Sequence, residues 1–96
     1  MAQIPTHERA SALALKAMGW MAADEDRIGA FLAASGCSPD ELRTRMAEPE
    51  FLGFVLDHLL GDDEAVVAFA ADAGVAPEEV AMARRALPGG DTPEWT

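Results

Sequence analysis

Ninety-six residues suffice for one small core, burying roughly 60–65% of the unfolded chain's surface. Half of them are apolar, which excludes a disordered chain, and seven Lys and Arg against seventeen Asp and Glu give a net charge of −10 that disfavours nucleic acid and anionic membranes as partners. The single cysteine, Cys37, excludes an internal disulfide and any Cys-x-x-Cys motif; with no secretory leader in the polar opening Met1 to Arg9, a reducing, cytoplasmic location is expected.

Ala, Leu, Val, Met and Phe dominate the apolar set and Tyr is absent, an alphabet that favours helices. Thr6 predicts the cap of a first helix over Glu8 to Ala23, apolar on all but a narrow side at Lys16 and Gly19 and therefore expected to be largely buried. Asp24 to Asp26 open a second helix with Ile28, Phe31, Leu32 and Ser35 at helical spacing, ended by Gly36. Ser38, Pro39 and Glu41 form a capping box for a third, buried through Leu42 and Met46.

Pro49 starts a fourth, apolar around most of its circumference from Phe51 to Leu60 and hence central to the core. Gly61 and then Asp62, Asp63 and Glu64 introduce a fifth, with Val66, Phe69, Ala70 and Ala73 inward. Gly74 and Pro77 lead to a sixth over Glu78 to Leu87, buried through Val80, Ala83 and Leu87. Pro88-Gly89-Gly90 close the ordered part, a single domain over residues 1–90, and Asp91 to Thr96 read as a flexible tail. Six short helices without a strand signal predict an all-α, compact orthogonal bundle.

A shift of 38 residues superposes Gly36 on Gly74, Pro39 on Pro77, Phe31 on Phe69, Asp24 on Asp62 and Met21 on Leu59. The chain thus reads as two pseudo-repeated three-helix units, about 8–47 and 48–88. In the first joint Ser38 completes the cap and in the second Ala76 does not, so the second joint is expected to be the looser.

Each joint has the packing pattern of a helix-turn-helix: a compact residue, a glycine four positions later and an apolar anchor six beyond it. The helix that would enter the groove begins, however, with Asp40 and Glu41 or Glu78 and Glu79, and Arg43, Arg45, Arg84 and Arg85 make no basic stripe. Asp57, His58, Asp62, Asp63 and Glu64 match no dedicated metal spacing, and Asp24 to Ser35 lacks the alternating oxygen ligands and closing acid of an EF-hand. His58 falls inside the apolar arc of its helix at the position equivalent to Trp20, which predicts a packed, hydrogen-bonded histidine. Cys37 corresponds to Val75 and reads as a small buried filler.

The runs Ala12-Leu13-Ala14-Leu15-Lys16-Ala17-Met18-Gly19-Trp20-Met21-Ala22, Arg27-Ile28-Gly29-Ala30-Phe31-Leu32, Pro39-Asp40-Glu41-Leu42-Arg43 and Val55-Leu56-Asp57-His58-Leu59-Leu60, followed by Ala86-Leu87-Pro88-Gly89, resemble domain-of-unknown-function family 3572. That is a set of small alphaproteobacterial proteins, and the resemblance spans nearly the whole chain. It implies a bacterial, single-domain protein and carries no activity, cofactor or catalytic residue. The residues themselves favour a non-catalytic protein-interaction or regulatory module, with no cofactor, metal or small-molecule ligand indicated and a protein of unspecified identity as partner. The alternatives are a helix-turn-helix regulator and a metal-binding or enzymatic accessory protein. The candidate interaction residues are Asp24, Glu25, Asp26, Asp62, Asp63, Glu64 and Trp95.

Overall fold

A computed structural model describes residues 6–88. These form six helices: α1 (His7–Ala22), α2 (Glu25–Ser35), α3 (Pro39–Arg45), α4 (Pro49–Leu60), α5 (Asp63–Ala73) and α6 (Pro77–Arg85). The architecture is the all-α bundle that the sequence predicts. The expected tail, with Trp95, lies outside the described residues.

Local chemistry sets the helix limits. The Thr6 hydroxyl accepts from the Arg9 amide at 3.2 Å, and one oxygen of Asp24 accepts from the amides of Asp26 and Arg27 at 2.9 and 3.1 Å. Asp62 does the same for Glu64 and Ala65 at 3.1 and 3.2 Å. At α3 the capping box is complete: the Ser38 hydroxyl accepts from the Glu41 amide at 3.1 Å, and the Glu41 carboxylate accepts from the Ser38 amide at 2.9 Å. At α6 only the second half exists, the Glu79 carboxylate accepting from Ala76 at 3.4 Å, because an alanine side chain offers no acceptor. Gly36 and Gly74 end α2 and α5 at φ of 73° and 74°, a left-handed conformation that a Cβ would strain.

The core is built around α4, which packs against α1, α5 and α6. Val55, Leu56 and Leu59 on α4 meet Phe69 of α5, Val80 of α6 and Leu87, all of them buried. Each such side chain contributes about 1.5–3 kcal/mol on leaving water. From α1 come Ala10, Ala14, Ala17, Met18 and Met21, whose spacing draws one stripe along the helix. Small residues in that stripe let α4 and α6 approach closely.

Two expectations need correction. The first helix is not largely buried, since Leu15 is 49% exposed: α1 rests on its neighbours along the alanine stripe alone, and the rest of its circumference faces solvent. Nor do Leu42 and Met46 bury α3. Both are half-buried and no residue of α3 is fully buried, because seven residues supply only two apolar side chains at the margin of the core.

The boundaries of α2 and α5 coincide under the shift of 38 residues, with an aspartate cap before each and a left-handed glycine after each. The starts of α3 and α6 coincide as well. Among the described residues no helix is long and apolar enough to cross a membrane.

Candidate functional site

The acidic helix starts singled out in the sequence meet at one place. A cleft enclosing about 180 Å³ is lined from α1 by Trp20 and Met21, from α2 by Asp26, Arg27 and Ala30, from α4 by His58 and Leu59, and from the next turn by Asp62 and Ala65. Met21 and Leu59 are buried and form its apolar floor; Asp26 and Asp62 are exposed. Small-molecule and cofactor clefts typically enclose roughly 300–1,000 Å³, so this one has room for one or two side chains rather than a nucleotide.

Three pairs of lining residues, Trp20 with His58, Met21 with Leu59 and Arg27 with Ala65, are separated by the same 38 residues. The indole of Trp20 bridges two elements. Its Nε1 donates to Asp72 on α5 at 2.7 Å, and its ring meets Phe69 edge-on with centroids 5.7 Å apart. The Arg27 guanidinium carbon lies 4.1 Å from the Trp20 ring centroid, and Nη1 of Arg27 pairs with Asp24 at 3.2 Å. Sequence reasoning missed Trp20 and Arg27 as site residues. The available signal was an aromatic followed seven residues later by an arginine, across a helix junction that hides the proximity.

His58 is half-buried and lines the cleft, with its ring edge-on to Phe31 at 5.2 Å between centroids. Its packing is as predicted, but its neighbour is an aromatic ring rather than a hydrogen-bond acceptor. The clustered acids around it separate: Asp57 points away to Arg84, while Asp62 caps α5. Among the described residues no three His, Cys, Asp or Glu side chains converge on a position that suits a metal ion. Glu25, Asp63 and Glu64 are exposed in the first turns of α2 and α5, and Asp24 and Asp62 are their caps, so the acids also complement the helix dipoles. Cys37 is buried at the joint before α3.

The arginines of the two joints face different neighbours. Arg45 donates to Glu48 at 2.9 Å and lies 4.9 Å over the Phe51 ring. Arg84 donates to Asp57 at 2.6 Å and to the carbonyls of Pro88 and Leu87 at 3.0 and 3.5 Å. Both are held by acceptors of their own chain, whereas Arg43 and Arg85 are exposed.

A family model described as a protein of unknown function, DUF3572, matches residues 7–90. The chain belongs to the DUF3572 family. No curated protein and no solved structure matches it. All six helices of this DUF3572 chain lie within the matched span, and so do all nine residues that line the cleft.

Proposed function

We propose that this DUF3572 protein is a non-catalytic interaction module of the bacterial cytoplasm, and that it takes a basic, amphipathic segment of a partner protein in the cleft among α1, α2, α4 and the start of α5. The observation that carries the reading is the meeting of an apolar floor, Met21 and Leu59, with exposed carboxylates at two helix starts, Asp26 and Asp62. An apolar side chain of the partner fills the volume, and its Lys or Arg residues meet the acids, in a chain of net charge −10 that draws cationic segments towards it. The equivalence of Trp20 with His58 and of Met21 with Leu59 supports a further point, that the cleft is the seam between two duplicated three-helix units.

The test is a titration of the full chain with an acetylated amphipathic peptide of leucine and lysine, followed by amide chemical shifts. Shifts gathered at Trp20, Arg27, His58 and Asp62, weakening as salt is raised, are expected. Asp26→Asn together with Asp62→Asn reduces affinity several-fold at low salt, and asparagine keeps the α5 cap intact. A version of the peptide with glutamate for lysine does not bind. Absence of shifts, or shifts confined to another face, overturns the proposal.

A further inference from the structure

Resting on the reading of the cleft as a docking site, we propose that the Trp20 ring face and the Asp24 carboxylate form a cation subsite at its wall, which Arg27 occupies until a Lys or Arg side chain of the partner replaces it.

Ring and carboxylate are each held in place by bonds that do not involve the Arg27 side chain. The indole is fixed from α5, by the 2.7 Å hydrogen bond to Asp72 and the packed Phe69 ring. The carboxylate is fixed by its cap: Oδ1 of Asp24 accepts from the Asp26 and Arg27 amides, leaving Oδ2 turned to the guanidinium. An aromatic face with a fixed carboxylate beside it is the arrangement that recognises an alkylammonium or guanidinium group.

The present occupant is lightly held. Arg27 and Asp24 are both 41% exposed in their side chains, and an exposed ion pair and an exposed cation–π contact are each weak enough to exchange with solvent or with another cation. The equivalent position of α5 shows that the helix start does not require the arginine. Asp62 caps Glu64 and Ala65 with the same geometry, and the residue at the place of Arg27 is Ala65. Arg27 thus adds a cation to the wall of a cleft otherwise suited to cations, where it competes with the partner's charge and covers the largest aromatic face available to it.

The experiment uses the full chain with Trp95→Phe, so that Trp20 is the one fluorophore, and compares Arg27 with Arg27→Ala and the longer neutral Arg27→Gln. Two probes are titrated: tetramethylammonium chloride, and the leucine–lysine peptide. Removal of the guanidinium is expected to tighten peptide binding roughly three- to tenfold. It is also expected to make the Trp20 fluorescence and indole Nε1 proton resonance respond to millimolar tetramethylammonium, with Asp24→Asn abolishing that response. If the peptide binds the Arg27 protein and both variants equally, or the variants more weakly, the subsite assignment is overturned while the docking site stands; Arg27 is then a brace between α1 and α2 or a direct contact. If the peptide binds none of them but tetramethylammonium binds the variants, the docking reading fails and the subsite stands. Silence of both probes overturns both.

Discussion

Gly53, buried on α4, lies beneath the Arg84 guanidinium, and the two are coupled strongly enough to reverse the sign of a mutation. A Cβ at residue 53 would stand 2.8 Å from Nη1 and 3.1 Å from Cζ of Arg84, and 3.2 Å from the Pro88 carbonyl oxygen. The first distance is too short for any real contact, so Gly53→Ala displaces Arg84. Displacement disturbs its bonds to Asp57, Leu87 and Pro88. The Arg84 side chain is 15% exposed but that of Asp57 is 51% exposed, so the ion pair is given at most about 1 kcal/mol. The carbonyl bonds from a charged donor bring the total loss to roughly 2 kcal/mol.

Against that stands a gain of about 1 kcal/mol when alanine replaces glycine inside a helix. Gly53→Ala should therefore destabilise the protein by about 1 kcal/mol, but stabilise the Arg84→Ala variant by roughly 0.5–1 kcal/mol, since the nearest obstacle is gone and Pro88 is no longer tied to it. Urea unfolding followed by far-ultraviolet circular dichroism on the four proteins of the cycle gives the coupling, expected at about 1.5–2 kcal/mol. A coupling below about 0.5 kcal/mol, with Gly53→Ala stabilising both backgrounds, would refute the reasoning.

Two further outcomes concern the joints. The backbone hydrogen bond from Ser38 holds the Glu41 carboxyl below its ordinary value of 4.5, so its contribution to α3 is complete above that value and is lost as pH falls through the depressed one. Amide exchange within α3 should accelerate over that acid range, measured relative to intrinsic rates, and Glu41→Gln should abolish the dependence; an unchanged profile in Glu41→Gln would assign it elsewhere. The amides of α6 should exchange more slowly than those of α3, reversing the order that the missing Ala76 cap suggests. Burial of Val80 contributes about 1.5–3 kcal/mol and a serine cap about 1 kcal/mol, and α3 has no buried residue to match it. Faster exchange in α6 would show that the cap, not burial, governs the joint.

The helices were legible because their limits are chemical and local. Asp24, Ser38 and Asp62 each carry an acceptor that reaches its own following amides, and Gly36 and Gly74 adopt the conformation that glycine alone tolerates easily. The degree of burial was less legible, since periodicity shows which face of a helix is apolar but not how much of it a neighbour covers. Leu15 and Leu42 show the difference, one exposed and the other half-buried despite apolar surroundings in sequence. Asp26 and Asp62 were identified as candidates from composition, but their convergence depends on how α2 and α5 are placed around α1 and α4. The stack of Arg27 on Trp20 and the bond from Trp20 to Asp72, 52 residues away, depend on the same tertiary placement.

The internal comparison supplies a test of necessity that a single helix does not. At positions where α2 and α5 share a residue type and a bond pattern, such as the caps Asp24 and Asp62 and the closing glycines Gly36 and Gly74, the shared chemistry is sufficiently explained by making a helix. Where they share the bond pattern but not the side chain, as at Arg27 and Ala65, helix formation does not account for the difference. The same argument applies to Trp20 and His58, two rings that line the same cleft from equivalent helix positions and make different contacts there, one under an arginine and one against Phe31. Both divergent pairs lie at the cleft. If packing alone set the identities of these residues, the two sides would be free to use interchangeable rings and small aliphatic residues; the cation on one side and alanine on the other give the cleft a charged end and an open end, and so a direction in which a partner segment lies.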